Sequence, residues 1–177
     1  FSIIKWTGDD DSMADSSQTV SHTLGATPDF IIAKNRTNNA SGTGSWIVYH
    51  KDLPAGDFLK LDDNAAKFTP ETSLISSIGI GTVAFASDAQ GLSPTNEYLN
   101  FGGEVDVSDA DTYIAYLFSE VGGYSKFGSY EGNTDADGPF VWCGFRPAMV
   151  MIKTTSSDRW VISDAGRNPY NVVTGEL

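Results

Sequence analysis

The feature that most constrains this chain is that it says nearly the same thing twice. An opening block, "FSIIKWTGDDDS", "TVSHTLGATPDFIIAKNRT" and "SWIVYHKD", is answered later by "YSKFGSYEGNTDADGPFVWCGFRPAMVMIKTTSSDRWVISDAGR". Trp6 with Gly8 answers Tyr130 with Gly132, the acidic turn Asp9–Asp11 answers Asn133–Asp137, and Thr19-Val20 answers Phe140-Val141. Pro28 answers Pro147, "FIIAK" ending in Lys34 answers "MVMIK" ending in Lys153, and Trp46 answers Trp160. Self-similarity of this kind means one supersecondary unit used more than once, each copy burying its apolar face with help from its neighbours.

Each copy reads as strand, acidic turn, strand, Gly-x-x-Pro turn, strand, polar loop, strand. The segments are short and rich in Ile, Val, Phe, Tyr and Trp, which suits a pleated, half-buried surface. The first copy continues through "FLKLDD", "GTVAFAS", "EYLNFGG" and "DTYIAYLFSEV". In "TYIAYLF" nearly every residue is apolar, as in a strand covered on both faces or nearly so. Breakers such as Asp-Asp, Gly-Gly, Ser-Pro and Asp-Gly separate the runs. "PETSLISSIGIG" comes nearest to a helical pattern, and its glycines argue against one. These signals predict an all-β fold of antiparallel β-sandwich units, jelly-roll or lectin-like, in tandem. The first unit is expected over residues 1–122 and the start of a second over 123–177, with the second copy incomplete. In both copies the lysine is expected outside, at Lys34 and Lys153, with Ile32 and Met151 inside.

Charge and cysteine content narrow the function classes. The formal net charge is −12, from 23 acidic and 11 basic residues. The basic residues are scattered among acids, so nothing forms the basic patch that a phosphate backbone requires, and no nucleic-acid partner is expected. No apolar run approaches the length of a spanning helix, and no membrane insertion is expected. The opening "FSIIKWTGDDDS" has neither the basic start nor the long apolar centre of a signal peptide. The lack of an initiator Met and the ending "TGEL" read as a piece of something longer. The single cysteine, Cys143, lies in "FVWCGF" and reads as a small buried side chain.

"GNTDADGPF" resembles the start of an EF-hand loop, with Asn133, Asp135 and Asp137 at even spacing. An EF-hand needs a bidentate Glu at its twelfth position, which here is Gly144, and its flanks are β-favouring rather than helical. A looser Ca²⁺ site on Asn133, Asp135 and Asp137 stays open as the metal reading. Hairpin chemistry explains the same residues without a metal, since Asx side chains bond their own backbone in turns. No other cofactor is expected.

Sugar-binding surfaces stack pyranose rings on exposed aromatics and bond hydroxyls with Asp and Asn. "YHKD" and "RNPYN" carry those residue types, which makes Tyr49, His50, Asp52, Arg167, Asn168 and Tyr170 the candidate glycan site. Trp46 and Trp160, at equivalent repeat positions, are expected in the core of each unit. Paired carboxylates could hydrolyse a polysaccharide. The acids, however, cluster in turns, Glu120 and its fellow isolated glutamates find no partner in the sequence, and His22 and His50 stand in no Ser/His/Asp context. No enzymatic activity is expected.

The blocks "GATPDFIIAKNR", "SWIVYHKDL", "TYIAYLFSEVGGYSKFGSY", "GNTDADGPFVWCGFRPAMVMIK" and "GRNPYN" resemble a repeat domain of virion proteins of marine tailed phages. The stretch "GLSPTNEYLNFGGEV" is longer than the turn expected there. The resemblance implies a virion structural protein, part of a tail fibre or similar surface appendage that contributes to host-surface attachment, and extracellular after release. It transfers no catalytic motif. It also implies a homotrimer, as fibres commonly are, with a host-surface glycan as a further partner. The alternative is a carbohydrate-binding, lectin-like module of a larger virion or secreted protein.

Overall fold

In a computed structural model, residues 1–7, 17–36, 45–69, 75–86 and 112–167 are described. Ten strands and no helix occur among them: β1 (Ser2–Thr7), β2 (Ser17–Ser21), β3 (Phe30–Asn35), β4 (Ile47–His50) and β5 (Leu59–Lys60), then β6 (Ile75–Ile78), β7 (Thr82–Ala86), β8 (Thr112–Phe118), β9 (Met149–Ile152) and β10 (Val161–Asp164). Every pairing is antiparallel. A five-stranded sheet runs β1-β8-β3-β4-β5, a three-stranded sheet runs β2-β7-β6, and β10-β9 form a separate pair. The chain is an all-β protein built as an antiparallel sandwich.

β8 sits between β1 and β3. Its alternation is the clearest in the chain: Tyr113, Ala115 and Leu117 are fully buried, and the residues between them are half-buried. With side chains alternating across the strand, the first set faces the other sheet. There Ile4, Ile31, Ala33 and Ile47 of the five-stranded sheet join Val83 and Phe85 of β7 in one core. Trp6 links the layers, with its ring 4.4 Å from that of Phe85 and 5.2 Å from that of Tyr113. Burying a side chain of the size of Leu117 or Ile31 stabilises the fold by about 2–3 kcal/mol.

The opposite face of the five-stranded sheet mixes aliphatic, aromatic and charged side chains, among them Ile32, Val48, Ile114, Tyr116 and Lys34. Ile32 and Lys34 both lie on this face, half-buried, while Ile31, Ala33 and Asn35 point inward. This corrects the expectation of Ile32 inside and Lys34 outside, because residues two apart on a strand share a face. Trp46 is likewise not in the core. It is half-buried, under the Lys34 ammonium at 5.7 Å and 6.3 Å from the Tyr116 ring. "EYLNFGG" lies outside the described residues, and "ISSI" of the weakly helical segment forms β6 with a bulge between Ile75 and Ser77.

The later half of the repeat reproduces one piece of the first closely. Gly25 (φ 74°) and Gly144 (φ 82°) take the same left-handed conformation, followed three residues on by Pro28 and Pro147. A Cβ at either glycine would meet open space, so the backbone angle alone favours glycine. The hairpins that follow share their register. Phe30 pairs with His50 and Ala33 with Ile47; at the matching positions Met149 pairs with Asp164 and Ile152 with Val161. Their sheet positions differ: β3 is flanked by β8 and β4, whereas among the described residues β9 pairs with β10 alone. Phe140-Val141, expected to match β2, lie in no strand. Strand β2 pairs with β7, and no β7-like strand stands beside residues 140–141 among those described.

Candidate functional site

A cluster of charge and aromatic surface forms where β3, β4 and β8 reach the same end of the five-stranded sheet. Asp29 immediately precedes β3, Tyr49 and His50 end β4, and Glu120 follows β8 by two residues. Antiparallel pairing brings these ends together although 91 residues separate Asp29 from Glu120. The backbone N–H of Glu120 donates to Asp29 Oδ2 at 2.7 Å. Lys51, in the turn after β4, places its Nζ 2.8 Å from Glu120 Oε1 and 3.3 Å from Asp29 Oδ1. Lys126 Nζ lies 3.3 Å from Glu120 Oε1, and the Phe127 N–H donates to the same oxygen at 3.0 Å.

These contacts set the protonation states. The hydrogen bond from Lys51, then that from the Phe127 N–H, pulls the Glu120 carboxyl down to about 2. The bond to Glu120 raises Lys51 above its ordinary value. Burial lowers His50 despite the nearby Asp52 carboxylate, and burial followed by the Asp29 charge raises Tyr49. Such a Glu120 is a fixed anion at neutral pH, with no proton to give as a general acid.

The cluster holds the chain that leaves the sheet. Val121–Ser125 form a tight turn, with the Tyr124 N–H bonded to Val121 O at 2.9 Å and Gly123 at φ 77°. Beyond it the Phe127 ring stacks on Phe30 at 5.5 Å, and Phe118 lies 5.9 Å from Phe30. The later hairpin is tied down independently. Lys153 Nζ donates to Ala65 O at 2.9 Å, to Thr154 O at 2.9 Å and to Ser156 O at 3.1 Å, and burial lowers its pKa. The Trp160 indole N–H donates to Lys60 O at 2.7 Å, and the Lys67 N–H to Thr155 O at 2.9 Å. Beside them the buried Asp57 carboxylate is paired with Lys67. Trp160 is therefore a half-buried contact between the two parts rather than a core residue, because a buried indole needs an acceptor. Lys153, expected as an exposed strand end, is half-buried and bonded through all three of its donors.

The candidate glycan residues divide. Tyr49 and His50 are half-buried at the cluster, and Asp52 is exposed beside them, its N–H donating to His50 Nδ1 at 3.1 Å. Arg167 lies elsewhere, in the turn after β10, where its guanidinium and N–H bond Asp164. Asn168 and Tyr170 lie outside the described residues. In the acidic loop Asn133 Oδ1 accepts the Asp135 N–H at 3.1 Å, and Asp135 Oδ1 accepts the Asp137 N–H at 3.0 Å. Gly138 closes the turn on Asp135 O at 3.0 Å with φ 66°. These oxygens serve the backbone turn, and among the described residues no group of three or more His, Cys, Asp or Glu is placed to hold a metal ion. Cys143, expected to be buried, is half-buried, its Sγ 3.7 Å from Val141 O.

Fold and cluster together define an all-β sandwich protein with a salt-bridged cluster at the point where the chain leaves β8. The whole chain, residues 1–177, matches the family DUF7483, a domain of unknown function, and belongs to it. No curated protein and no solved structure matches the chain. Among the described residues no helix is long and apolar enough to cross a membrane.

Proposed function

We propose that this chain is a non-enzymatic structural module of a tailed-phage virion, in a tail fibre or similar surface appendage that contributes to host attachment. The observation that carries the proposal is the Asp29–Lys51–Glu120–Lys126 junction. Its charged groups are spent on fixing the segment after β8 to the five-stranded sheet, which supports a stiff join between consecutive units. A module that transmits or resists force needs such a joint, whereas a catalytic carboxylate pair needs a titratable member. The sequence resemblance to phage virion repeat domains supports the same reading. Gold-labelled antibodies against residues 1–177 are expected to decorate the appendages of virions that encode the chain. Recovery of the chain only as free protein, with no label on intact or disrupted particles, overturns the proposal. Trimeric assembly, proposed with it, is read by light scattering; a stable monomer at micromolar concentration contradicts it.

The placement of Tyr49, His50 and the exposed Asp52 together at one end of β4 favours a second reading, a carbohydrate-binding module. A glycan array decides it: reproducible binding to a defined sugar, lost on Asp52→Ala, selects the lectin reading.

A further inference from the structure

The equivalence of the two hairpins points to a binding site that the second one leaves open. In the first unit the outer edge of β3 is covered by β8, in the register Phe30↔Phe118, Ile31↔Leu117, Ile32↔Tyr116 and Ala33↔Ala115. At the matching edge β9 has no ladder partner among the described residues. Exposure follows that difference. Ile31 is 1% exposed, while Val150, its counterpart, is 41% exposed, and Met149 beside it is 63% exposed. Phe140 and Trp142, whose rings stand 6.4 Å apart, are likewise 87% and 75% exposed. An unpaired edge flanked by exposed apolar side chains is a template for an added strand.

We propose that the outer edge of β9 is a strand-acceptor site, and that its occupant is an extended, uncharged, apolar segment of β8 type contributed by a further unit of this family. The first unit supplies the template. Transferred through the hairpin equivalence, the donor's Phe, Leu, Tyr and Ala would stand opposite Met149, Val150, Met151 and Ile152 in antiparallel register. Strand order selects this occupant over a second whole copy. In each copy "TYIAYLF" is already paired on both sides, by β1 and by β3, so a second copy has no free strand of this type to give. The inference rests on the equivalence of the hairpins and is independent of the virion reading.

The test uses the full chain and a synthetic peptide of residues 112–118 flanked by lysines for solubility, read by hydrogen exchange and mass spectrometry. The peptide is expected to slow exchange of amides in residues 149–152 by at least ~10-fold. A scrambled peptide and a backbone N-methylated peptide are expected to leave it unchanged. Val150→Lys, with its melting temperature unaltered because the residue is exposed, is expected to abolish the slowing. Three outcomes overturn the proposal. The first is no slowing at β9. The second is slowing at β3, which means the peptide displaces β8 instead. The third is β9 protection in the chain alone that disappears on dilution, which means a second copy occupies the edge.

Discussion

Replacing Glu120 by Gln removes the anion at the centre of the junction while keeping its shape. A carboxyl whose pKa falls from 4.5 unfolded to about 2 folded corresponds to ~3.4 kcal/mol of stability, at 1.36 kcal/mol for each pKa unit. The side chain is 30% exposed, so solvent screening reduces this to ~2 kcal/mol. The sign follows from the depression. The stabilisation is complete above the unfolded value of 4.5 and is lost as pH falls from there toward 2. Urea melts of wild type and Glu120→Gln are therefore expected to differ by ~2 kcal/mol at pH 7, and by less than half of that at pH 3. Urea is preferred because guanidinium chloride, a salt, would screen the pairs under test. Equal stability at pH 7, or a difference that does not shrink in acid, refutes the reasoning.

Ile31→Ala is expected to cost ~2–4 kcal/mol, and Val150→Ala at the matching position under ~0.5 kcal/mol, in the same melts. Similar costs at both sites contradict the described difference in burial. Lys153→Ala strips three carbonyls of their donor and is expected to cost ~1–3 kcal/mol; a cost near zero restores the exposed-end expectation. Because Asn133 Oδ1 and Asp135 Oδ1 serve turn bonds, the melting midpoint is expected to be the same in Ca²⁺ and in chelator, and a rise with Ca²⁺ contradicts the turn assignment.

What the sequence disclosed and what it withheld follow the range of the interactions. β8 was legible because "TYIAYLF" is nearly all apolar and of high β propensity, both local properties, and its residues are buried on one face and half-buried on the other. The Gly-x-x-Pro turns before β3 and β9 were legible for the same reason. The Asp29–Glu120 junction was not, because the pair meets only through strand order and nothing near either residue signals the other. Period two alone places Ile32 with Lys34, yet the expectation put a charge-bearing end ahead of that rule. Trp46 and Trp160 were expected in the core on size, but each ring also meets a polar group. The Trp46 ring lies under the Lys34 ammonium, and the Trp160 indole donates to Lys60 O. Of the glycan candidates, Tyr49, His50 and Asp52 lie together at one end of β4, and Arg167 is bonded within a separate turn.

The Asp29–Lys51–Glu120–Lys126 cluster fixes the segment after β8 firmly to the five-stranded sheet. Hydrogen exchange of Val121–Phe127 in the intact chain tests this attachment most directly. The N–H groups of Val121, Tyr124, Ser125 and Phe127 are all bonded, so they are expected to exchange in the slow class together with β8, and Glu120→Gln is expected to release them. Exchange of these amides at the rate of an unstructured linker, in wild type at neutral pH, would contradict the account.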